Sequence, residues 1–346
     1  MSLESAQTLS RRMKVTIGIP VFNCETWVAT AIQSALEQTW PDKEIIVVDD
    51  GSTDRSADIC KSFGSRILFV QQPNRGGNAA RNQICRLASG DWIQFLDADD
   101  YLMPDKIRSH LESSAGPSDA DILCSATIFE DWRNGKLASQ EVGVLNDGCD
   151  WVALWLTRSV PLTGGCLWKR QALEKIGGWN EQIWCNQEYE LYFRALQKNL
   201  RFQVAGAPLS VHRIWSEKTV SRRDWKGLAL KKTELIQSFL QWLKSEGRWT
   251  PDYQRLAGRS CFEMARILAN EDLILATRYY RERKREGLMQ AEGPQAPWKY
   301  SLALKCLGFN PAERLARSLQ QTKRLLSRKN SLRELAVQHV ELERVV

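Results

Sequence analysis

The stretch WIQFLDADD, Trp92 to Asp100, decides the fold. Its apolar run stops abruptly at three carboxylates packed into four positions, Asp97, Asp99 and Asp100. A short buried strand reads this way where it ends at solvent or at a cleft. Carboxylates crowded so closely repel one another unless something cationic sits among them. A hard divalent ion, Mg²⁺ or Mn²⁺, is the simplest answer, because it prefers oxygen ligands and usually shares them with a substrate's phosphates. An Asp-rich surface turn has the same local spelling, so the flanking chain has to arbitrate.

Upstream, Val15–Val21 reads as a first strand, and Trp27–Gln38 has helical periodicity with Val28, Ala31, Ile32, Ala35 and Leu36 on one side. Glu44–Asp49 is a β-branched apolar strand, the pattern of a strand covered on both faces. Gly51–Asp54 is a turn supplying helix N-caps, followed by a helix to about Phe63. Ile67–Val70 is a third strand, Pro73–Gly77 a loop, Asn78–Leu87 a helix and Trp92–Leu96 the fourth strand. Alternation with short links predicts a parallel α/β sheet, which binds ligands at the carboxyl ends of its strands. Asp49-Asp50 and Asp97-Ala98-Asp99 both fall at such ends, and two acidic clusters on one edge outweigh either alone.

Beyond Tyr101 the pattern is mixed. It predicts a helix over Pro104–Ser114, a strand over Ile122–Phe129, part of a helix at Trp151–Leu156 and a loop entering a strand at Pro161–Leu167. Gly177-Gly178-Trp179 reads as a turn and Gln187–Lys198 as an amphipathic helix. From Trp225 on the chain reads as helical and polar, with a break near Gly293–Pro297.

The 346 residues suit one large domain or two, and 43% hydrophobic with 26% charged residues is ordinary for a water-soluble protein. Nine scattered cysteines without a CxxC pair predict reduced thiols in a cytoplasmic setting. Met1–Lys14 has no apolar core and does not read as a signal peptide, and no run reaches the roughly 18 apolar residues a membrane span needs. The net charge of +7 is unevenly placed. From Lys226 onward about 23 basic residues face 13 acidic ones, roughly +10, whereas the first 225 residues are near −3. The basic tail fits solvated helix faces, and it also fits attraction to anionic lipid headgroups or another anionic partner.

The order of motifs resembles the family 2 glycosyltransferases, which have the GT-A nucleotide-diphospho-sugar binding fold. The resemblance rests on IGIPVFN (Ile17–Asn23), SALEQTW (Ser34–Trp40), EIIVVDDGSTD (Glu44–Asp54), QPNRGGNAARN (Gln72–Asn82) and GDWIQFLDADD (Gly90–Asp100). It continues through TGGCLWKRQALEKIGGWNE (Thr163–Glu181) and NQEYELYFRAL (Asn186–Leu196), and covers about Lys14–Ser221. It implies three regions: a tail over 1–13, a GT-A domain over 14–225, and a basic, mostly helical region over 226–346. That fold is a Rossmann-like, mostly parallel α/β sheet flanked by helices, here with a helical C-terminal extension.

The resemblance implies a nucleotide-diphospho-sugar donor held by Pro20, Phe22, Asn23, Asp49, Asp50, Arg81, Asp97, Ala98 and Asp99. Phe22 replaces the tyrosine frequent there, and Asp49-Asp50 would hold base and ribose through carboxylate hydrogen bonds. Asp97 and Asp99 form the family's DxD, with Asp99 the first choice for metal contact, Asp97 supporting it, and Asp100 behind them. Arg81 would contact the phosphates or the aspartates. The divalent metal, Mn²⁺ or Mg²⁺, would bridge the donor phosphates and offset charge on the leaving diphosphate. Glu188 matches the general base of inverting members, glutamate where aspartate is more usual. Many relatives carry a histidine two positions after the arginine, where this chain has Trp215, so His212 stands as a weak third metal ligand. Thr163, Gly164 and Gly165 resemble the loop beside the acceptor, where small residues leave room for a sugar. Trp179, Trp184 and Trp215 are candidates for stacking on sugar faces and equally for plain core.

An inverting, metal-dependent transferase is therefore expected, moving a sugar from a nucleotide-diphospho-sugar (UDP-sugar favoured) to a hydroxyl of a glycan or lipid-linked acceptor. A degenerate relative acting as a binding or assembly partner is one alternative. A nucleotidyltransferase is another, disfavoured because Pro20–Cys24 lacks a Gly-rich basic phosphate loop, and GxGxxG is absent after the first strand. No motif supports nucleic-acid binding. Pro311–Leu326 fits an amphipathic helix with interspersed basic residues, consistent with packing or with peripheral contact at an inner membrane face.

Overall fold

The computed structural model describes residues 13–113, 119–133, 135–215 and 225–319. The expected tail over 1–13 lies almost wholly outside the described residues, as does the 320–326 part of the amphipathic stretch. The chain divides into two compact units, Met1–Arg223 and Asp224–Val346.

The first unit opens with three βα steps. Strand β1 (Val15–Val21), helix α1 (Val28–Leu36), strand β2 (Lys43–Asp49), helix α2 (Ser56–Ser62), strand β3 (Leu68–Gln71), helix α3 (Gly77–Leu87) and strand β4 (Trp92–Phe95) follow in order. β1 lies between β2 and β4, all parallel, with β3 outside β2. The β-branched and aliphatic residues of β1 and β2 fill the two faces: Val15, Ile17, Ile19, Val47 and Val48 have no exposed surface. Close approach of α3 is built into β1, since a Cβ at Gly18 would lie 2.3 Å from Ile84 Cγ2.

The continuation departs from simple alternation. β5 (Tyr101–Leu102), α4 (Lys106–Leu111), β6 (Ile122–Cys124), β7 (Thr127–Arg133), β8 (Lys136–Val142), α5 (Trp151–Thr157), β9 (Cys166–Lys169), α6 (Arg170–Lys175), α7 (Gln187–Gln197), β10 (Phe202–Val204) and β11 (Ser210–Ile214) complete the unit. The seven-stranded sheet runs β10-β6-β9-β4-β1-β2-β3, and a smaller sheet runs β5-β11-β7-β8. β9 is the one reversed strand of the larger sheet, antiparallel to both β4 and β6. The single strand read over Ile122–Phe129 is in fact two. Ser125 N donates to Gly165 O, and after it the chain leaves β6 for β7 in the second sheet. β8 is exposed along its whole length, so it carries no apolar alternation to announce it.

The second unit is helical: α8 (Trp225–Ser245), α9 (Pro251–Glu271), α10 (Leu273–Arg285) and α11 (Trp298–Leu307), then a helical stretch over 309–319. Thr250 caps α9 by accepting from Tyr253 N, with Pro251 at the first helical position, and Asp272 caps α10 by accepting from Leu275 N. Its core includes Phe262, Tyr300 and Ala312, with Ala303, Leu304 and Ala316 packed on them.

Candidate active site

The larger sheet gathers its site on one edge. The carboxyl ends of β1, β2 and β4 bring Phe22 and Asn23, Asp49 and Asp50, and Asp97–Asp100 there. Because β9 runs the other way, its amino end reaches the same edge and carries the 3₁₀ turn Thr163–Gly165 with it. Gln94 Nε2 donates to Gly164 O at 3.0 Å, fastening that turn to β4 three residues before Asp97.

Asp49 has no exposed surface; its Oδ2 accepts from Gln71 Nε2 (3.0 Å) and Ser52 N (3.2 Å), while its buried Oδ1 has no protein partner. An unpaired buried acceptor is costly, so Oδ1 is the atom here that a ligand N–H or O–H would satisfy. Asp50 is different. Its two oxygens accept from Gln72 Nε2 (2.7 Å), Arg75 N (3.0 Å) and Gly76 N (2.7 Å), so the carboxylate folds the 72–76 loop. Gly51, at φ +74°, lets that loop approach: a Cβ there would be 2.8 Å from Asn74 N. Asn23 is likewise committed, its Oδ1 accepting from Thr53 N at 2.8 Å, whereas Phe22 is exposed (40%) and Pro20 half-buried.

Around the aspartates each carboxylate has its own partner. Arg81 Nη2 donates to Asp97 Oδ1 at 2.6 Å, and its guanidinium lies 4.8 Å from the Trp179 ring centroid. Trp179 is thus core, packed edge-on against Phe95 and held by two bonds to Asn82. Trp215 Nε1 donates to Asp99 Oδ2 at 3.0 Å. Burial, then the charge of Asp97, raises the Asp99 carboxyl above its ordinary range. Asp100 accepts from Arg213 N (2.9 Å) and meets His212 Nδ1 at 3.0 Å. Burial alone would lower His212, but the bond to Asp100 and the surrounding aspartate charges raise it to about 9. His212 is thus the hydrogen-bond partner of Asp100, beside the aspartates that the sequence offers as metal ligands.

The sequence reading left Arg213 without a role. Its buried guanidinium lies 4.5 Å from the Trp27 ring and 4.4 Å from Tyr101, and Nη1 donates to Asp99 O at 3.2 Å. Glu130 ties this cage together, accepting from Tyr101 Oη (2.8 Å) and Trp132 Nε1 (2.9 Å). No local pattern joins residues 27, 101, 130 and 213; the second sheet aligns the last three, and Trp27 packs on them from the start of α1.

Glu188 sits in the first turn of α7, half-buried, and its Oε1 accepts from Thr163 Oγ1 at 2.7 Å. Thr163 and Glu188 are thus one unit on the sheet edge. Both neighbouring glycines are buried, and a Cβ at Gly165 would meet Ser125 O at 2.9 Å and Thr127 Oγ1 at 3.0 Å. Close packing of β7 against the turn explains the glycine. Glu190 pairs with Arg194 (2.7 Å), which also donates to Gly178 O at 2.7 Å and so clamps the 177–179 turn.

Among the described residues no group of three or more His, Cys, Asp or Glu is arranged to hold a metal ion. The carboxylate pair Asp97 and Asp99 is nonetheless a hard oxygen donor set, with Asp99 raised by burial and then by the charge of Asp97. Such a pair fits an ion of the Mg²⁺ type, which takes one or two carboxylates and leaves its other positions to phosphate and water.

A mostly parallel sheet with an acidic carboxyl edge, one reversed strand and a small second sheet defines a GT-A type nucleotide-sugar transferase fold. Residues 16–177 match the family described as Glycosyl transferase family 2. Over these residues, a little under half of the chain, it is similar to the family 2 glycosyltransferases and carries a transferase domain. It is 40% identical over 99 residues to the glycosyltransferase GlyA of Streptococcus pneumoniae serotype 4, covering 28% of this chain and 14% of that protein. Identity to the chondroitin synthase of Escherichia coli is 31% over 198 residues, 56% of this chain and 28% of that one. Identity to the putative glycosyltransferase EpsH of Bacillus subtilis is 34% over 131 residues, 37% and 38% of the two chains. The chain thus spans well under two thirds of these relatives. The solved structure of S. aureus TarS 1-349 in complex with UDP-GlcNAc superposes with a TM-score of 0.52 at 15% identity, over 90% of this chain and 92% of that one, a likeness of fold.

Proposed function

We propose that this chain transfers a sugar, with inversion, from a nucleotide-diphospho-sugar to a hydroxyl of a glycan or lipid-linked acceptor at the cytoplasmic face of a membrane. A UDP-sugar is the favoured donor, because a uracil imide N–H matches the unpartnered Oδ1 of Asp49. The observation that carries the reading is the shared edge. Asp49, the Asp97–Asp99 pair and the Thr163–Glu188 unit reach it from four different elements. The name of the chondroitin synthase relative accords with a glycan acceptor.

In this reading Phe22 walls the base and Asp49 binds it. Glu188, oriented by Thr163, accepts the acceptor hydroxyl's proton as the oxygen forms its bond to the anomeric carbon. The anomeric carbon–oxygen bond breaks on the opposite side, and its electron pair leaves with the nucleoside diphosphate. Charge building there is met by the Arg81 guanidinium. A divalent ion held by Asp99 and Asp97 would supply further charge neutralisation at the diphosphate when bound. Arg213 holds Asp99 and Asp100 in place through the backbone.

Calorimetric titration of UDP, GDP and dTDP, each with and without Mn²⁺, on wild type and Asp99→Ala tests the reading. Metal-dependent binding of one nucleotide, lost in the variant, is expected. Binding of none under either condition would overturn it and leave a degenerate, non-catalytic relative.

A further inference from the structure

The second unit carries an outer surface that its own packing does not explain. In α11, Tyr300, Ala303 and Leu304 face the core with Phe262, as do Ala312 and Ala316 of the next helix. An amphipathic helix would be polar on the opposite side. Here that side of α11 presents Trp298, 72% exposed, and Leu302 one turn on, 56% exposed. Leu307 and Leu319 are exposed too, but by helical spacing they lie on the sides of Tyr300 and Ala312, not on this one.

The charges of this segment are one-sided. Residues 294–319 contain four bases, Lys299, Lys305, Arg314 and Arg317, and a single acid, Glu313. That acid is buried, accepting from Arg266 Nε at 2.8 Å and Tyr300 Oη at 2.6 Å. Its charge is neutralised inside, so 294–319 shows no carboxylate on its surface while Lys299, Lys305 and Arg314 are exposed. Lys299 Nζ lies 5.5 Å from the Trp298 ring centroid, pairing a cation with an interfacial aromatic.

We infer that the outer face of residues 298–319 is a docking surface for an anionic lipid bilayer. Trp298 and Leu302 would enter the headgroup–acyl boundary, with Lys299, Lys305 and Arg314 against anionic headgroups. Trp with Leu on an apolar face and Lys or Arg beside it is the composition of helices that lie in the interface, and apolar burial adds to electrostatic attraction. No described helix is long and apolar enough to cross a membrane, so the contact is interfacial. The inference deepens the reading of a transferase working at a membrane face. Its test needs no substrate, so its failure would leave the nucleotide titrations standing.

Cys306, the one exposed cysteine of the nine, lies on this face and serves as a reporter. The full chain, labelled at Cys306 with an environment-sensitive maleimide fluorophore, is titrated with phosphatidylcholine vesicles and with vesicles also containing phosphatidylglycerol. Cys306→Ser controls for labelling elsewhere. Binding to the anionic vesicles with a blue shift at Cys306 is expected, weakening with salt. Replacing Lys299, Lys305 and Arg314 by Glu should weaken it by roughly 10²-fold or more. Trp298→Ser with Leu302→Ser should abolish the blue shift. Three results overturn the inference: no anionic binding, binding without a shift at Cys306 and unaffected by these substitutions (attachment through the remaining basic tail), or a concentration-dependent dimer that Trp298→Ser dissolves (a second copy on this face).

Discussion

At the scale of single residues, the site divides into groups already satisfied by the protein and groups left available. Asp50 and Asn23 hold loops, and Gly165 is imposed by Ser125 and Thr127. Asp49 Oδ1 and the Glu188 carboxylate, which is tied to the protein by one hydroxyl, are the groups with capacity for a ligand. Glu188→Gln keeps the side-chain volume and the bond to Thr163 while removing the base. Transfer should fall by about 10²–10⁴-fold with nucleotide affinity unchanged, as read by steady-state kinetics beside calorimetry. Equal losses in both would assign Glu188 to binding. The motif spelling pointed to Glu188, but it carried no sign of Thr163 beside it, because 25 residues separate the two along the chain.

Between elements, α4 is pinned to β4 by a buried lysine. Lys106 has no exposed surface, bonds to Gln94 Oε1, and packs near Cys124 and Cys166. Burial lowers its ammonium from 10.5 to about 7. Over pH 7 to 10.5 the unfolded chain therefore holds more protons at this site than the folded one. Its contribution to stability rises with pH across that window and is flat below it. The melting temperature of Lys106→Met minus that of wild type should shrink as pH rises from 7 to 9; a pH-independent difference would show that Lys106 keeps an ordinary affinity for its proton. In the sequence Lys106 looks like a helix-surface residue, since burial of a lysine opposes every compositional rule. The first four strands were legible because their apolar runs are continuous. β8, β10 and β11 were not: β8 is wholly exposed and β10 is a three-residue strand, so neither carries a usable period.

At the scale of the whole molecule, the chain holds two units with separate cores and opposite charge balance. Glu313 is the electrostatic centre of the second, bonded to Arg266 and Tyr300, with the guanidinium stacked 3.9 Å from the Tyr300 ring centroid. Glu313→Ala would leave Arg266 a mostly buried, unpaired charge, a loss of about 3–5 kcal/mol. Denaturant unfolding should show that loss in the helical unit, and nucleotide binding by the first unit should persist. A loss of both together would mean that the units unfold as one.

The sequence by itself determined the alternating sheet, its acidic carboxyl edge and the family resemblance, because hydrophobic period and turn chemistry are local and a motif order needs no coordinates. It also determined the basic helical tail as a charge pattern. Tertiary structure decided what each polar group does: that Asp50 folds a loop, that Asp97 faces Arg81, that His212 pairs with Asp100, and that Glu313 is buried so that its helix shows only bases outside. Those outcomes depend on which side chains meet across tens to more than a hundred residues, and on the burial that makes a hydrogen bond or an ion pair obligatory there. Neither distance nor burial is written in the local order of the residues.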